Sequence, residues 1–321
     1  MKKEFVGKTL CFIGDSILEH GHYTYNLRSY FQSKDEKCYV FNRGVAGNRA
    51  IMAQYILDDE VFFLNPDYAI ICFGGNDLGV WLYDSLKEIT PELLNKRKVR
   101  DDEYIKAHEI LINKLRERGV EPIIMSPYAV DSFIVEKEYI ETVADNDEKE
   151  DNLKPSFYKR KTFENINEAF KGLSKRLSDL CAKYGVRFFD MFEKSYSKML
   201  SERDLHTQDG IHYTKDKGHT VLANIILEFL GCEPQSEFKK TPENDEIFEL
   251  EQLERSTGYI RRCTPMNPHF GARTEEEILE YAKFNVNSSF EWGREAARNY
   301  IAHRHEIPRM KERLKELVYK L

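Results

Sequence analysis

Leu10-Cys11-Phe12-Ile13-Gly14-Asp15-Ser16 is a short apolar, strand-forming run that stops at a glycine, with a serine standing where the next segment begins to read as a helix. In an α/β sheet this order puts the serine hydroxyl at the carboxyl end of a strand, where open parallel sheets bind their ligands. Ser16 then has two readings. It is a nucleophile, or it joins Asp15 in capping a helix, the commoner use of both residue types.

Outward from this stretch, apolar runs alternate with longer helical patterns. Lys8 to Ile13, Cys38 to Phe41, Tyr68 to Phe73, Pro122 to Met125 and Val186 to Phe189 are rich in Ile, Val and aromatics and are bounded by Gly, Pro, Asn or Asp. Between them, Ile17 to Phe31, Ala50 to Leu64, Asp102 to Arg118 and Phe163 to Tyr184 carry apolar residues three and four apart. Strands buried on both faces and joined by crossover helices predict an α/β fold, a five-stranded parallel sheet with helices on each side. Strand order does not follow from the sequence.

Two segments depart from the alternation. From about Asp131 to Lys161 the chain is dense in Glu, Asp and Lys, which predicts a surface insertion acting as a lid or a loop. After Glu233 comes an acidic connector (Glu237 to Glu246), then irregular sequence with Pro265 and Pro268, then helical stretches over Glu275 to Phe284 and Ser289 to Leu321. The expected division is a core domain over residues 1–232 and a mostly helical C-terminal extension over 233–321. Met310, Leu314, Leu317 and Leu321 form one apolar stripe, which should pack on the core or on a second subunit, giving a homodimer through the C-terminal helices.

Composition narrows the function. The formal net charge of −7, with Lys and Arg scattered among acids, leaves no footprint for nucleic acid. No apolar run is long enough to span a bilayer. The start, Met1 to Lys8, has charges but no long apolar segment, so the expectation is no signal peptide and a cytoplasmic protein. Six widely spaced cysteines without a C-x-x-C pair read as small buried hydrophobes in a reducing compartment.

The strand ends carry the chemistry. After the second strand comes Asn42-Arg43-Gly44-Val45-Ala46-Gly47-Asn48, and after the third comes Gly74-Gly75-Asn76-Asp77. Glycines there let backbone approach a ligand, and an amide side chain offers N–H donors. Far downstream, before a helix over Lys217 to Leu230, stands Asp209-Gly210-Ile211-His212. An imidazole beside a serine can take its proton, and a carboxylate on the other ring nitrogen fixes the tautomer. A turn of three residues can put Asp209 beside His212.

Together these four blocks resemble the SGNH hydrolases, the GDSL-type lipase and esterase superfamily, over about residues 5 to 231. The resemblance implies a flavodoxin-like three-layer α/β/α sandwich. It also implies Ser16 as nucleophile, His212 as general base, Asp209 as its orienting partner, and an oxyanion hole from the Ser16 N–H, Gly47 and the Asn76 side chain. Gly47 is preferred to Gly44, which reads as a turn residue. Asp15 and Asp77 read as braces for their loops. No cofactor and no metal are expected.

Other residues have plainer readings. His20 and His22 are surface or pocket-lining histidines, since no matched carboxylate or cysteine set accompanies them. His206 and His219 flank the Asp209 to His212 turn and compete with His212 for the role of base, and His303 and His305 read as solvated. Trp81, Tyr83 and Tyr128 line a pocket or pack in the core. Glu19 is a first-turn acid favoured by the helix dipole. The expected activity is hydrolysis of a small-molecule ester through an acyl-enzyme, first an acetyl ester such as an acetylated sugar. A lysophospholipase or thioesterase, an acyltransferase to a sugar hydroxyl and a non-catalytic ligand-binding protein are the alternatives.

Overall fold

In a computed structural model of the chain, the described residues are 1–77, 91–132, 134–135, 161–202, 204–263, 274–287 and 291–321. Five strands, β1 (Thr9–Gly14), β2 (Tyr39–Gly44), β3 (Tyr68–Cys72), β4 (Glu121–Met125) and β5 (Arg187–Phe189), form one sheet in the order β2-β1-β3-β4-β5. Every neighbouring pair is parallel, and Gly14 is level with Gly44 on one side and Cys72 on the other. Three strand ends therefore stand abreast. The chain winds outward in both directions from β1, and the crevice at such a switch point is where sheets of this kind hold ligands.

Side chains alternate between two cores. Leu10, Phe12, Val40 and Ile70 face a cluster built with α2 (His22–Gln32) and α8 (Lys217–Phe229). Cys11, Ile13, Phe41 and Ile71 face the other, built with the short helices α3 (Ala50–Ala53) and α4 (Leu57–Glu60) and the long helices α5 (Pro91–Glu117) and α6 (Lys161–Tyr184). This is the three-layer sandwich expected of the alternating pattern. Five cysteines, Cys11, Cys38, Cys72, Cys181 and Cys232, are buried and free, as their sequence settings suggest. Among the described residues, no helix is long and apolar enough to cross a membrane.

Several helices differ from their sequence reading. The stretch after Ser16 is two helices, α1 (Ser16–Glu19) and α2, separated at Gly21, whose φ of 76° is left-handed. The stretch 50–64 breaks into α3, α4 and a 3-10 turn at Phe62–Leu64, closed by Asn65 in the left-handed region. A helix not expected at all, α7 (Met191–Ser201), follows β5, capped by the Asp190 side chain on the Glu193 N–H. The largest correction lies beyond residue 233. The acidic connector and the sequence after it form a helix of 22 residues, α9 (Pro242–Cys263).

Behind it come α10 (Glu275–Asn285), α11 (Glu291–His303) and α12 (Ile307–Lys320), so the helix expected from 289 to 321 is interrupted by a 3-10 turn at Arg304–Glu306. Leu314, Leu317 and Val318 of α12 join the core against the sheet. The apolar stripe is thus covered within the chain. The charged stretch 131–161 lies almost wholly outside the described residues, as do Trp81 and Tyr83.

Candidate active site

Ser16 opens α1 directly after β1. Asp15, not Ser16, caps that helix, its carboxylate accepting the Ile17 N–H at 3.1 Å. The serine hydroxyl is left for another partner, and its Oγ lies 2.8 Å from His212 Nε2.

The imidazole is delivered from far along the chain by a small hairpin. His206 and Tyr213 pair across it, and the Thr207 N–H donates to the His212 carbonyl at 2.7 Å. Gly210 turns the hairpin with φ at 71°, and a Cβ there would lie 2.7 Å from both the Asp131 carbonyl and the Val135 nitrogen. Only glycine fits. The turn puts Asp209 Oδ2 at 2.6 Å from His212 Nδ1. A carboxylate can only accept, so Nδ1 carries the proton and Nε2 presents its lone pair to the serine hydroxyl.

Asp209 is itself held in place. Its Oδ1 accepts from the Thr207 hydroxyl and from the backbone N–H groups of Ile211 and His212, at 2.7, 2.8 and 2.9 Å. Burial alone would raise its pKa, but these bonds and that to the His212 ring outweigh it and hold the carboxyl well below the usual range. The bond to Asp209 raises the His212 pKa above that of an ordinary histidine, against partial burial, and the negative charges of Asp209 and Asp15 add to the rise.

The other blocks flank Ser16. Gly44 ends β2 where α1 crosses it; a Cβ there would lie 2.4 Å from the Glu19 nitrogen, so close backbone packing rather than a turn requires this glycine. Gly47 sits in the following loop with φ at 73°. Asn76, after β3, donates from Nδ2 to the Asn48 carbonyl at 3.0 Å, tying the two loops together. Asp77 accepts the Ala50 N–H at 3.1 Å, and burial raises its pKa to about 7; burial likewise lifts Asp15 to about 6. Both acids brace backbone, as their loop positions suggested.

The competing histidines are engaged elsewhere. His206 Nε2 bonds the Ala129 carbonyl at 3.1 Å, and His219 is buried against His22 and Tyr23. His20 is exposed, with its ring 5.1 Å from that of His212. Among the described residues, no three His, Cys, Asp or Glu side chains are arranged to hold a metal. His303 and His305 are exposed, far along in the terminal helices. Tyr128 is a core residue, its hydroxyl 2.9 Å from that of Tyr23.

Helix α9 closes one side of the site, which the sequence reading missed. Gln252 Nε2 donates to the carbonyls of Glu19 and His20 at 3.3 and 3.4 Å, and the Tyr259 hydroxyl to that of Ala46 at 3.5 Å. Positions 244, 247, 251, 254 and 255 of this helix are buried at helical spacing, but all except Ile247 are polar. The spacing was the available signal, and polarity hid it.

A doubly wound parallel sheet with a serine, an imidazole and a carboxylate gathered at its switch point is the arrangement that serine hydrolases use. The description of the GDSL-like lipase/acylhydrolase family matches residues 12–221, and the chain belongs to that family of carboxylic ester hydrolases. Among curated proteins, none matches the sequence. Among solved structures, a gut microbial diltiazem-metabolizing enzyme is similar over 97% of this chain and 95% of its own, with a TM-score of 0.66 and 16% identity. A catalytic mutant of an acetylxylan esterase from Geobacillus stearothermophilus is similar over 72% of this chain and 98% of its own, at TM-score 0.50 and 17% identity. An alpha/beta hydrolase enzyme from the metagenome of Lake Arreo, Spain, covers 71% and 96%, at TM-score 0.50 and 20% identity. The first of these covers nearly the whole of this chain, and the other two a little over seven-tenths of it.

Proposed function

We propose that this protein hydrolyses a small acetyl ester, with an acetylated sugar as the substrate class, and that Ser16 is the nucleophile. The observation that carries the reading is the unbroken chain from Ser16 Oγ to His212 at 2.8 Å and from His212 to Asp209 at 2.6 Å. His212 Nε2 takes the hydroxyl proton as Ser16 Oγ bonds to the ester carbonyl carbon. The carbonyl oxygen becomes an oxyanion and accepts from the Ser16 N–H, the Gly47 N–H and the Asn76 amide. An amide nitrogen has two hydrogens, so the bond from Asn76 to Asn48 leaves one for this purpose. The tetrahedral centre collapses, His212 gives its proton to the departing alcohol, and acetyl-Ser16 remains. Water then attacks with its proton going to His212, and the acid leaves as the proton returns to Ser16.

Polar sequence around the strand ends supports a small acyl group over a long one, which needs an extended apolar pocket. The free, buried thiols support the reading of a cytoplasmic enzyme. A fluorophosphonate probe tests the central claim: one covalent mass is expected on Ser16 of the folded protein, and no labelling would mark it as a binder. Acetyl p-nitrophenyl ester should be preferred to octanoyl; the reverse preference would assign it to longer acyl chains. Product analysis with a free sugar present would expose transfer in place of hydrolysis.

A further inference from the structure

Between the loop that carries Gly47 and the two helices α9 and α11 lies a cavity of about 630 Å³. Glu19, three residues beyond Ser16, and Gly47 line its core side; Arg255 and Tyr259 of α9 and Glu295 and Asn299 of α11 line the other. We propose that this cavity is the binding site for the alcohol part of the substrate, and that it takes a neutral pyranoside. The proposal rests on the reading of Ser16 as nucleophile.

Four properties point there. The first is position, because the cavity touches both the end of the helix that starts at Ser16 and the loop proposed to bind the oxyanion. The second is size. It falls in the range of small-molecule clefts, roughly 300–1,000 Å³, and a two-carbon acetyl group leaves nearly all of it for the alcohol.

The mixed lining is the third. The Tyr259 ring offers a flat apolar surface for a sugar ring face, while Glu295 and Asn299 offer hydrogen-bond partners to hydroxyl groups. Charge is the fourth. Two carboxylates face one guanidinium, that of Arg255, a residue only 1% exposed. No positive surplus is present among these groups for a phosphate headgroup, which sets a neutral alcohol above a lysophospholipid.

The C-terminal helices would thus supply half of the specificity site, although no residue of the nucleophile, base or acid lies in them. Gln252 and Tyr259 fix their distance from the core through the carbonyls of Glu19, His20 and Ala46.

The test compares kcat/KM for an acetylated methyl xylopyranoside with that for p-nitrophenyl acetate, in the full chain and in Asn299→Ala and Ser256→Trp. Ser256 is an exposed residue of the cavity rim, so a tryptophan there fills the space without entering the core. The pyranoside to p-nitrophenyl ratio should fall at least fivefold, chiefly through KM, in each variant that folds. A smaller change in the ratio, including an equal loss on both esters, overturns the proposal. So does a wild-type enzyme that turns over p-nitrophenyl acetate but not the pyranoside. A second readout needs no turnover: Ser16→Ala titrated calorimetrically with the acetylated pyranoside should bind it, and Ser16→Ala with Asn299→Ala should bind at least fivefold more weakly. Absence of binding, or equal binding, also overturns it. Failure of fluorophosphonate to label Ser16 would sink the esterase reading separately.

Discussion

Asp209 holds His212 at two points, its Oδ2 on the ring Nδ1 at 2.6 Å and its Oδ1 on the backbone N–H at 2.9 Å. One carboxylate thereby sets both the tautomer of the imidazole and the shape of the turn that presents it. In Asp209→Asn an amide N–H facing Nδ1 would favour the other tautomer, with a proton on the nitrogen that must accept from Ser16. The expected loss in kcat on p-nitrophenyl acetate is about 10⁴-fold, the scale seen when a triad acid is made an amide. An unchanged far-ultraviolet dichroism spectrum would show that the turn survives.

The same contact predicts a pH profile. As the proposed base, His212 must be neutral to accept the serine proton, and its bond to Asp209 raises its pKa above the ordinary histidine value of about 6.5. Lowering the pH therefore protonates the base sooner than in a free histidine. The acid limb of kcat/KM should fall on the alkaline side of 6.5, and the limb of the residual activity in Asp209→Asn should move to lower pH. A limb that does not move would mean that another group titrates there.

Asn76 sits at the end of β3 with one amide hydrogen committed to the Asn48 carbonyl. In the proposed mechanism Asn76→Ala removes a donor aimed at charge that exists only in the transition state. The expected effect is on the order of 3 kcal/mol of barrier, a loss of about a hundredfold or more in kcat with KM little changed. A loss confined to KM would instead make Asn76 a ground-state binding residue.

The sheet was legible because its signals are local and apolar, whereas the polar, glycine-rich site blocks stood out only by the order in which they follow one another. Leu10 to Ile13 and Ala69 to Phe73 are buried and written as apolar runs, and each is followed by a glycine, Gly14 or Gly74. The order of strands was not legible, since it depends on which side of β1 each crossover helix lies. Helix α9 was misread for a different reason. Asn244, Glu251, Glu254 and Arg255 read as solvated charge and polarity, yet they are buried because each meets or neighbours a partner that comes from elsewhere in the chain. Arg28 and Arg43, equally buried, are more than 200 positions away from Glu251 and Glu254. A burial pattern paid for by distant ion pairs leaves no hydrophobic periodicity to detect. The break at Gly21 escaped notice because the residues on either side continue the helical pattern.

Asp77 offers a stability test away from the proposed chemistry. Burial raises its pKa to about 7 and that of Asp15 to about 6, against about 3.9 in an unfolded chain. From about pH 4 to pH 7 the folded protein keeps protons that the unfolded chain has released, so these two groups lower stability as the pH rises. Asp77→Asn keeps an oxygen for the Ala50 N–H and removes the buried charge. Its melting temperature should exceed that of the wild type at pH 8, by at least about 1 kcal/mol of stability, and the difference should shrink towards pH 4. A difference independent of pH would show that Asp77 does not titrate in that window.

The attachment of α9 to the core can be measured through Arg28 and Glu251. Their side chains are 1% and 0% exposed and 3.0 Å apart, and Glu251 Oε1 also accepts the Asn42 N–H at 3.1 Å. Glu251→Ala would leave a buried guanidinium with only Asn244 and the Val40 carbonyl, at 2.9 and 3.3 Å. Removing one member of such a pair costs about 3–5 kcal/mol, to be read as a fall in the urea midpoint. Replacing both, as Arg28→Met with Glu251→Leu, removes the stranded charge and should recover part of that loss. Recovery stays incomplete because the Asn42 N–H loses its acceptor in either case, which costs about 1–3 kcal/mol by itself. If the double variant were no more stable than Glu251→Ala, packing rather than charge would be what Glu251 contributes.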